Sequence, residues 1–356
     1  MFGNVYNHRR VLVTGHSGFK GSHLVAWLLR LGSDVCGLAL PPETETSHYT
    51  LLDLPIRSEW CDIRDAKNVE RIVKDFRPEI VFHLAAQPLV RRSYSDPVET
   101  FSTNIAGTVN LLEALRGTEE VKAIVVVSSD KCYRNDESDL AHREDDPLGG
   151  YDPYSASKAG QEIVAASFRD SFFNPRGVLL GTARAGNVIG GGDWAADRLI
   201  PDLVRSAIAG KVEPLRSPDA VRPWQHVLEP LSGYLTLGQM LYEGSAFAAM
   251  GWNFGPDSLD TLTVGEVAAK FKKFFPQVNF RFAPQLDALH ESKFLRLDCS
   301  KAKKELAWHG VWNAEEAIRR TAQWYRDFYD QGQINTASDL DSYIESAIKG
   351  ELSWVK

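Results

Sequence analysis

The chain has 356 residues, of which 44% are hydrophobic and 24% are charged. This composition is that of an ordinary globular protein and the length exceeds one average domain, which excludes a small binding module, a wholly disordered chain and a fibrous repeat. Lysine and arginine total 40 against 47 acidic residues, giving a net charge of −7 that argues against nucleic acid as a partner. An anionic ligand is therefore expected to be held locally, by helix N-termini and individual arginines.

The four cysteines and the distribution of apolar residues exclude further classes. Cys36, Cys61, Cys132 and Cys299 are scattered without a C-x-x-C pair, which predicts neither a metal site nor a disulfide framework. The polar N-terminus leads directly into an apolar strand pattern, and no window approaches ~18 uninterrupted apolar residues. We therefore expect a soluble cytoplasmic protein with no membrane partner.

Strand and helix patterns alternate through the first half of the chain. The strands are unbroken apolar runs rather than in-out alternations, which is typical of a parallel sheet covered on both faces. We therefore predict an α/β fold with a doubly wound, parallel Rossmann-type sheet. The predicted strands are 11–13, 35–40, 80–85 and 124–128, and the predicted helices are 22–31, 69–76, 98–115 and one that starts at Tyr154.

The regular alternation is lost after about residue 184, where a Gly190-Gly191-Gly192 run appears. We predict that residues 1–184 form the Rossmann domain, to which segments at about 223–255 and 298–332 return. A smaller lobe that covers the ligand is placed at 185–222 and 256–297, together with the C-terminal tail.

A glycine-rich segment connects the first strand to the first helix. Glycines at this place permit a tight turn and let a pyrophosphate approach the helix N-terminus. Taken alone, the G-x-x-G-x-x-G spacing is also compatible with a connection that binds nothing, but its strand and helix flanks favour a dinucleotide. The segment reads Thr14-Gly15-His16-Ser17-Gly18-Phe19-Lys20-Gly21.

Two further motifs carry residues suited to proton transfer. Tyr154 and Lys158 are four residues apart and so share one helix face, where the ammonium is expected to lower the pKa of the phenol and make it a base. Ser129, Asp130 and Lys131 follow a buried strand at its carboxyl end, where ligands bind in open α/β sheets. A surface helix pair and a capping turn are the respective structural alternatives.

In this order and spacing, the three motifs resemble the extended short-chain dehydrogenase/reductase family of nucleotide-sugar enzymes, over nearly the whole chain. Supporting segments are Asp62-Ile63, His83-Leu84-Ala85-Ala86, Asn104 with Gly107-Thr108-Val109-Asn110, Asn253-Phe254-Gly255-Pro256 and Leu297-Asp298-Cys299-Ser300-Lys301-Ala302. The resemblance implies NAD as cofactor. The cofactor-binding residues that it implies are Gly15, His16, Ser17, Gly18, Phe19, Lys20, Gly21, Asp62, Ile63, Leu84, Ala85, Ala86, Ser128, Tyr154 and Lys158.

Within that family, three segments resemble the CDP-glucose 4,6-dehydratase branch: Ser129-Asp130-Lys131-Cys132-Tyr133, Gly149-Gly150-Tyr151-Asp152-Pro153 and Gly18-Phe19-Lys20-Gly21. The dTDP-glucose dehydratases usually have Asp-Glu in place of Asp130-Lys131, and epimerases generally lack the pair. The resemblance implies a hydro-lyase with CDP-glucose as substrate. The alternatives are another nucleotide-sugar dehydratase (dTDP- or GDP-linked), an epimerase or reductase of the same fold, and a non-catalytic dinucleotide sensor.

The implied catalytic residues are Ser129, Asp130, Lys131, Tyr154 and Lys158. By this resemblance, Tyr154 takes the proton of the sugar 4-hydroxyl while NAD takes hydride from carbon 4. Asp130 protonates the departing 6-hydroxyl, and the hydride returns to carbon 6. Lys131 replaces the usual glutamate base, and it needs a lowered pKa to accept the carbon-5 proton, or else it stabilises the enolate.

The residues after the second predicted strand depart from the family pattern. They read Leu38-Ala39-Leu40-Pro41, without the acid that usually binds the ribose 2′-hydroxyl. No arginine replaces it to receive a 2′-phosphate. NAD is therefore preferred on the grounds of internal hydride recycling, and its binding is expected to be weak.

Substrate contacts and assembly are also implied by position in the family pattern. Asn187, Arg198, Arg222 and Asn253 are expected at the nucleotide sugar, with surface salt bridges as the alternative for the two arginines. Family members commonly pair through two helices, here 98–115 and 154–172, which implies a homodimer or a homotetramer. The other expected pocket residues are Gln87, Arg92 and Ser93, with His290 or Glu291 at the rim and Trp194 and Trp224 either on the base or in the core.

Overall fold

A computed structural model of the protein describes residues 1–135, 140–256, 261–283 and 294–356. Its main sheet has seven parallel strands in the order β11-β6-β5-β4-β1-β2-β3. The predicted α/β class and doubly wound parallel sheet are confirmed. The strands of this sheet are Arg10–Thr14 (β1), Asp34–Ala39 (β2), Arg57–Trp60 (β3), Ile80–His83 (β4), Ala123–Val127 (β5), Leu179–Ala185 (β6) and Gly251–Phe254 (β11).

The helices pack on both faces of the sheet and around three short strand pairs. The pairs are β7 (Val188–Ile189) with β10 (Gln225–His226), β9 (Val221–Arg222) with β12 (Leu262–Thr263), and β8 (Val212–Leu215) with β13 (Asn279–Phe282). The helices are Phe19–Arg30 (α1), His48–Leu52 (α2), Ala66–Phe76 (α3), Val90–Ser95 (α4), Pro97–Phe101 (α5), Gly107–Arg116 (α6), Pro153–Phe168 (α7), Leu199–Ile208 (α8), Leu228–Tyr242 (α9), Val264–Phe274 (α10), Ser300–Glu305 (α11), Ala314–Gln331 (α12) and Thr336–Lys349 (α13). Within the described ranges, no helix is both long and apolar enough to cross a membrane.

The sheet buries apolar side chains on both of its faces. One cluster includes Val11, Val13 and Trp27, and the cluster on the opposite face includes Leu12 and Val81. Alternate residues of β1 therefore point to opposite faces, and both faces are covered. This double burial explains why the central strands are unbroken apolar runs.

A third cluster fills the region formed by residues 189–224 and 262–278 together with α12. Leu203 of α8, Phe271 of α10 and Trp324 of α12 belong to it. Helix α12 was expected to return to the sheet domain but packs here, whereas Tyr343 of α13, in the expected lobe tail, packs in the cluster that contains β1.

The order in which successive strands are added to the sheet changes direction between the neighbouring strands β1 and β4. From β1 the order runs through β2 and β3 to one edge, and from β4 it runs through β5 and β6 toward the other. Adjacent connections therefore leave in opposite directions at the carboxyl ends of β1 and β4 and open a crevice there.

Candidate active site

A cleft of about 620 Å³ opens at this crevice. Its floor contains the loops that follow β1, β4 and β5, and its far wall is formed by residues 185–202 and 213–224. The glycine segment, the Tyr154 helix and the Ser129–Lys131 turn all line it, so the three motifs lie in one site.

The glycine segment adopts the tight turn that its sequence predicts. Gly15 has a φ of +74°, and a Cβ there would lie 2.8 Å from the backbone nitrogen of Ala85. A Cβ on Gly21 would lie 2.1 Å from the carbonyl oxygen of Gly15. Gly18 is the N-cap of α1 and lines the cleft, so no side chain caps the first N–H groups of the helix at this point. This arrangement fits the pyrophosphate of a dinucleotide.

Most of the other predicted cofactor residues line the same end of the cleft, but His16 does not. His16 is fully buried behind the loop, with its ring 5.1 Å from that of Tyr49 and 5.3 Å from that of Trp60. A Cβ on Gly37 would lie 2.3 Å from the His16 ring, so this glycine makes room for it. The residues that do line the cleft are Gly15, Ser17, Gly18, Phe19, Lys20, Gly21, Asp62, Ile63, Leu84, Ala85, Ala86, Ser128, Tyr154 and Lys158.

Tyr154 and Lys158 lie on the first turns of α7, whose N-terminus is capped by Asp152. The Lys158 ammonium donates to the carbonyl of Val127 at 3.3 Å and to the side chain of Gln161 at 2.9 Å. Burial and the charge of Lys20 lower the pKa of Lys158 to about 7.

The pKa of Tyr154 is raised to about 12, chiefly by burial. The groups that oppose this rise are a hydrogen bond with Ser129 and the charge of Arg198. The expectation that Lys158 lowers the pKa of Tyr154 is therefore not met in this structure, because the Lys158 ammonium is held by the end of β5 and by Gln161.

The carboxylate of Asp130 is buried in the turn after β5, with 2% of the residue exposed. Its Oδ1 accepts a hydrogen bond from the Ser129 hydroxyl at 2.9 Å, whereas its Oδ2 has no hydrogen-bond partner among the described residues. A buried carboxylate oxygen without a partner is costly, which makes it a candidate functional group. Lys131, the next residue, also lines the cleft and is partly exposed.

Two further cations lie around this carboxylate and the phenol. Lys20, on the first turn of α1, lies 3.5 Å from the hydroxyl of Tyr234, and burial lowers its pKa to about 8. Arg198 donates to Asp193 at 2.8 Å, and this ion pair raises the pKa of Arg198 although burial opposes its charge. The charge of Arg198 therefore acts on Tyr154, in addition to the expected role at the nucleotide sugar.

The expected substrate residues do not all reach the cleft. Arg198, Arg222 and Asn187 line it, and so do Gln87 and Arg92. Arg92, however, is held by Glu99 and Glu43 at 2.7 Å each, and the Gln87 amide bonds Thr100 and the backbone of Leu89. Both side chains therefore hold the loops of the cleft wall in this structure.

Ser93 and Asn253, which were also expected at the substrate, are not among the residues that line the cleft. The buried Ser93 hydroxyl donates to the carbonyl of Val90 at 2.6 Å. The Asn253 amide accepts from Tyr133 and donates to the carbonyls of His142 and Asp298, which uses its oxygen and both of its N–H groups.

The two tryptophans line the far part of the cleft but are also packed and bonded. The indole N–H of Trp194 donates to Tyr329 at 3.2 Å, and that of Trp224 donates to the Leu262 carbonyl at 3.0 Å. His290 and Glu291 lie outside the described residues.

A family model described as GDP-mannose 4,6 dehydratase matches residues 12–321 of the chain. The match spans the glycine segment, the Ser129–Lys131 turn and the Tyr154 helix. The chain belongs to this dehydratase family.

Individual relatives agree with this assignment. The chain is 47% identical over 330 residues to a CDP-glucose 4,6-dehydratase of Salmonella typhimurium, covering 91% of this chain and 92% of that protein. It is 27% identical over 367 residues to a dTDP-glucose 4,6-dehydratase of Shigella flexneri, covering 96% and 99%. Among solved structures, DesIV, a dTDP-glucose 4,6-dehydratase from Streptomyces venezuelae with NAD and TYD bound, superposes with a TM-score of 0.77 at 27% identity, covering 89% and 97%.

Several residues of this dehydratase site were missed by sequence reasoning. Asp193 contacts Arg198 and Tyr234 contacts Lys20, yet neither Asp193 nor Tyr234 belongs to a recognisable motif. Glu43 lines the cleft shortly after β2, the region in which an acid was expected to be absent. The sequence argument considered only residues 38–41, so it did not include Glu43.

Proposed function

We propose that the protein is a CDP-glucose 4,6-dehydratase that converts CDP-glucose to CDP-4-keto-6-deoxyglucose and water with NAD as a recycled cofactor. The observation that carries this proposal is the buried, unpartnered Oδ2 of Asp130 in the same cleft as Tyr154. A base for one hydroxyl and an acid for another are what a dehydration through a ketone requires. The choice of CDP is supported by the 47% identity to the Salmonella enzyme of that name.

The glycine turn, the N-terminus of α1 and the wall formed by Asp62, Ile63 and residues 84–86 would hold NAD. When bound, NAD supplies the hydride acceptor for carbon 4 and the hydride donor for carbon 6. The protein's own residues then have to move protons at three positions of the sugar.

Tyr154 takes the proton of the 4-hydroxyl. Its pKa of about 12 must fall for this role, and Ser129 and Arg198 are the groups that lower it in the structure. Because Arg198 is fixed by Asp193 at 2.8 Å, its charge is held near the phenol before substrate binds.

Asp130 acts on the 6-hydroxyl after the ketone has acidified the hydrogen on carbon 5. Its unpartnered Oδ2 gives the leaving oxygen a proton, while Ser129 holds Oδ1. Lys131 is adjacent in the cleft and is proposed as the group that takes the carbon-5 proton and returns a proton to carbon 5 when the hydride reaches carbon 6. One turn thus supplies both the acid for the leaving 6-hydroxyl and the base for the carbon-5 hydrogen.

The wall formed by residues 185–202 and 213–224 is proposed to hold the nucleotide. Arg222 is buried and lines the cleft, and its planar guanidinium suits a diphosphate. Asn187 lines the same wall. The product would enter deoxysugar synthesis in the cytoplasm, as for the 3,6-dideoxyhexoses of bacterial surface polysaccharide O-antigen.

A homodimer formed through α5, α6 and α7 is proposed for the assembly. Val98 is 76% exposed and Ile163 is 60% exposed, and Phe101 and Phe172 are exposed near them in the chain. Large apolar side chains that face water on neighbouring helices are typical of an interface. A homotetramer would require a second surface.

A turnover assay tests the proposed activity. The enzyme is incubated with CDP-, dTDP-, UDP- or GDP-glucose, with and without added NAD, and the alkali-induced absorbance of a 4-keto-6-deoxy sugar is followed. We expect signal with CDP-glucose. Signal with another nucleotide alone would overturn the choice of CDP, and no ketone with any substrate would favour an epimerase or reductase.

A further inference from the structure

A buried ion pair lies beneath the catalytic turn, outside the cleft. Arg184 of β6 and Glu162 of α7 have side chains that are 6% and 3% exposed, and they form two hydrogen bonds of 2.8 and 2.9 Å. Burial alone would raise the pKa of Glu162, but Arg184 and the hydroxyls of Thr182 and Ser128 together lower it. The carboxylate is therefore ionised and saturated with donors.

Glu162 connects the two halves of the proposed catalytic machinery. Tyr154, Lys158 and Glu162 are spaced by four residues on α7 and so lie along one helix face. The Ser128 hydroxyl contributes to the lowered pKa of Glu162, and its oxygen accepts the backbone N–H of Ser129 at 2.6 Å. Glu162, on the helix that carries Tyr154, is thus coupled to the start of the turn that carries Asp130.

Arg184 fixes the other end of that turn. Its guanidinium donates to the Tyr133 hydroxyl at 2.7 Å and to the Glu144 carbonyl at 2.9 Å, and it lies 4.9 Å from the centre of the Tyr133 ring. The Tyr133 hydroxyl in turn donates to Asn253 of β11 at 2.7 Å. Hydrogen bonds through Arg184 and Glu162 therefore link the Tyr133 end of the turn to α7.

We propose that Glu162, Arg184 and Tyr133 are positioning residues for the dehydration, and that they hold the Asp130 turn in register with Tyr154 on α7. This inference rests on the proposed function. None of the three lines the cleft, so each acts through Ser128, Ser129 or the backbone of the turn.

Net stabilisation does not explain this pair, because a buried ion pair is often no more stable than apolar residues of similar volume. Its geometry has a second consequence at Lys158, whose ammonium is subject to the charge of Glu162 on its own helix. Glu162 raises the pKa of Lys158, as does Cys132 in the turn, whereas the charge of Lys20 on α1 lowers it. The charge of Lys158 in turn lowers the pKa of His83 on β4.

The test compares Glu162→Gln and Tyr133→Phe with Glu229→Gln. Glu229 is an equally buried carboxylate, but it accepts from the backbone of Val311 and Trp312, away from the catalytic turn. We expect Glu162→Gln to lower kcat about 10- to 100-fold, as a misplacement of about 1 Å does, with KM for CDP-glucose changed less than about twofold. Tyr133→Phe should lower kcat by a smaller factor, because it removes one hydroxyl only.

The pH profile and the crystal structures of the variants separate positioning from a merely structural role. Loss of the Glu162 charge should lower the pKa of Lys158 and move the pH profile of kcat to lower pH, and Glu229→Gln should leave the profile in place. In crystals of Glu162→Gln, the distance from the Tyr154 hydroxyl to Ser129 Oγ should lengthen, a readout that holds even if the reaction is a different one.

The proposal is overturned if Glu162→Gln keeps the wild-type distance and pH profile, or if its loss of activity equals its unfolded fraction. Should Glu162→Gln fail to fold, the paired Glu162→Met and Arg184→Met variant restores an apolar core, and the same loss of kcat is expected in the folded protein. Full activity in the paired variant would contradict the proposal. Full activity of Tyr133→Phe would also contradict it if the crystal structure of that variant shows a displaced turn. Failure of the wild type to turn over any nucleotide sugar would instead overturn the proposed function.

Discussion

Replacing Asp130 by asparagine separates catalysis from stability. The substitution keeps the shape and leaves an oxygen to accept from Ser129 at the present 2.9 Å, but it removes the proton that Oδ2 is proposed to give. Loss of a general acid costs about 100- to 10,000-fold in rate, or about 3 to 5 kcal/mol in the barrier. Since the wild type buries a polar Oδ2 that has no hydrogen-bond partner among the described residues, the free energy of unfolding should stay within about 1 kcal/mol of the wild-type value or rise above it.

The assay follows the keto-deoxy product by its alkali-induced absorbance and the reduced nicotinamide by its own absorbance in a single turnover. Because Tyr154 is untouched, Asp130→Asn should still oxidise carbon 4, so reduced cofactor accumulates and persists while no product appears. Asp339→Asn is the matched control, a buried carboxylate outside the cleft that accepts from Arg320 at 3.4 Å; it should keep kcat. A kcat for Asp130→Asn within tenfold of wild type, or a free energy of unfolding more than about 1 kcal/mol below the wild-type value, would contradict this role for Asp130.

Further predictions concern the base, the cofactor, acid stability and assembly. Lys131→Ala should abolish solvent hydrogen exchange at carbon 5, and intact exchange with slowed turnover would remove its role as base. After removal of bound cofactor, NAD should restore activity better than NADP, because residues 38–41 offer no arginine for a 2′-phosphate; the reverse order would contradict this. Burial lowers the pKa of His16 to about 4 and, with the charge of Lys158, that of His83 to about 3. Both histidines stay neutral in the folded protein, whereas in the unfolded chain they take up protons below a pH of about 6.5. The free energy of unfolding, measured in urea, should therefore fall as the pH drops from about 6.5 to about 4, by on the order of 3 kcal/mol per histidine. Val98→Asp with Ile163→Asp should sediment as a monomer, and an unchanged dimer would exclude this interface.

The strands β1, β2, β4 and β5 were predictable because burial on both faces leaves apolar runs, whereas the buried β6 was missed because Thr182 and Arg184 interrupt its pattern. The strand Arg57–Trp60 was missed since it is the sheet edge, partly exposed and rich in polar residues. The predicted helix 98–115 exists as α5 and α6, with a π-helical turn at Ser102–Ala106 between them, which periodicity alone does not reveal.

The site was predictable where one motif defines one backbone position, as at Gly15 and at the pair Tyr154 and Lys158. The position of Asn253 outside the cleft was not predictable, because its partners, Tyr133 and the carbonyls of His142 and Asp298, come from distant segments. The pKa of Tyr154 was also misjudged. Spacing places a lysine on the same helix face, but it does not show that burial dominates and that Lys158 is held elsewhere.

The most direct test of internal hydride transfer uses CDP-glucose deuterated at carbon 4. We expect CDP-4-keto-6-deoxyglucose to retain the deuterium at carbon 6, even in the presence of excess unlabelled NAD. Product without deuterium at carbon 6, with the label in free reduced cofactor or in solvent, would contradict it.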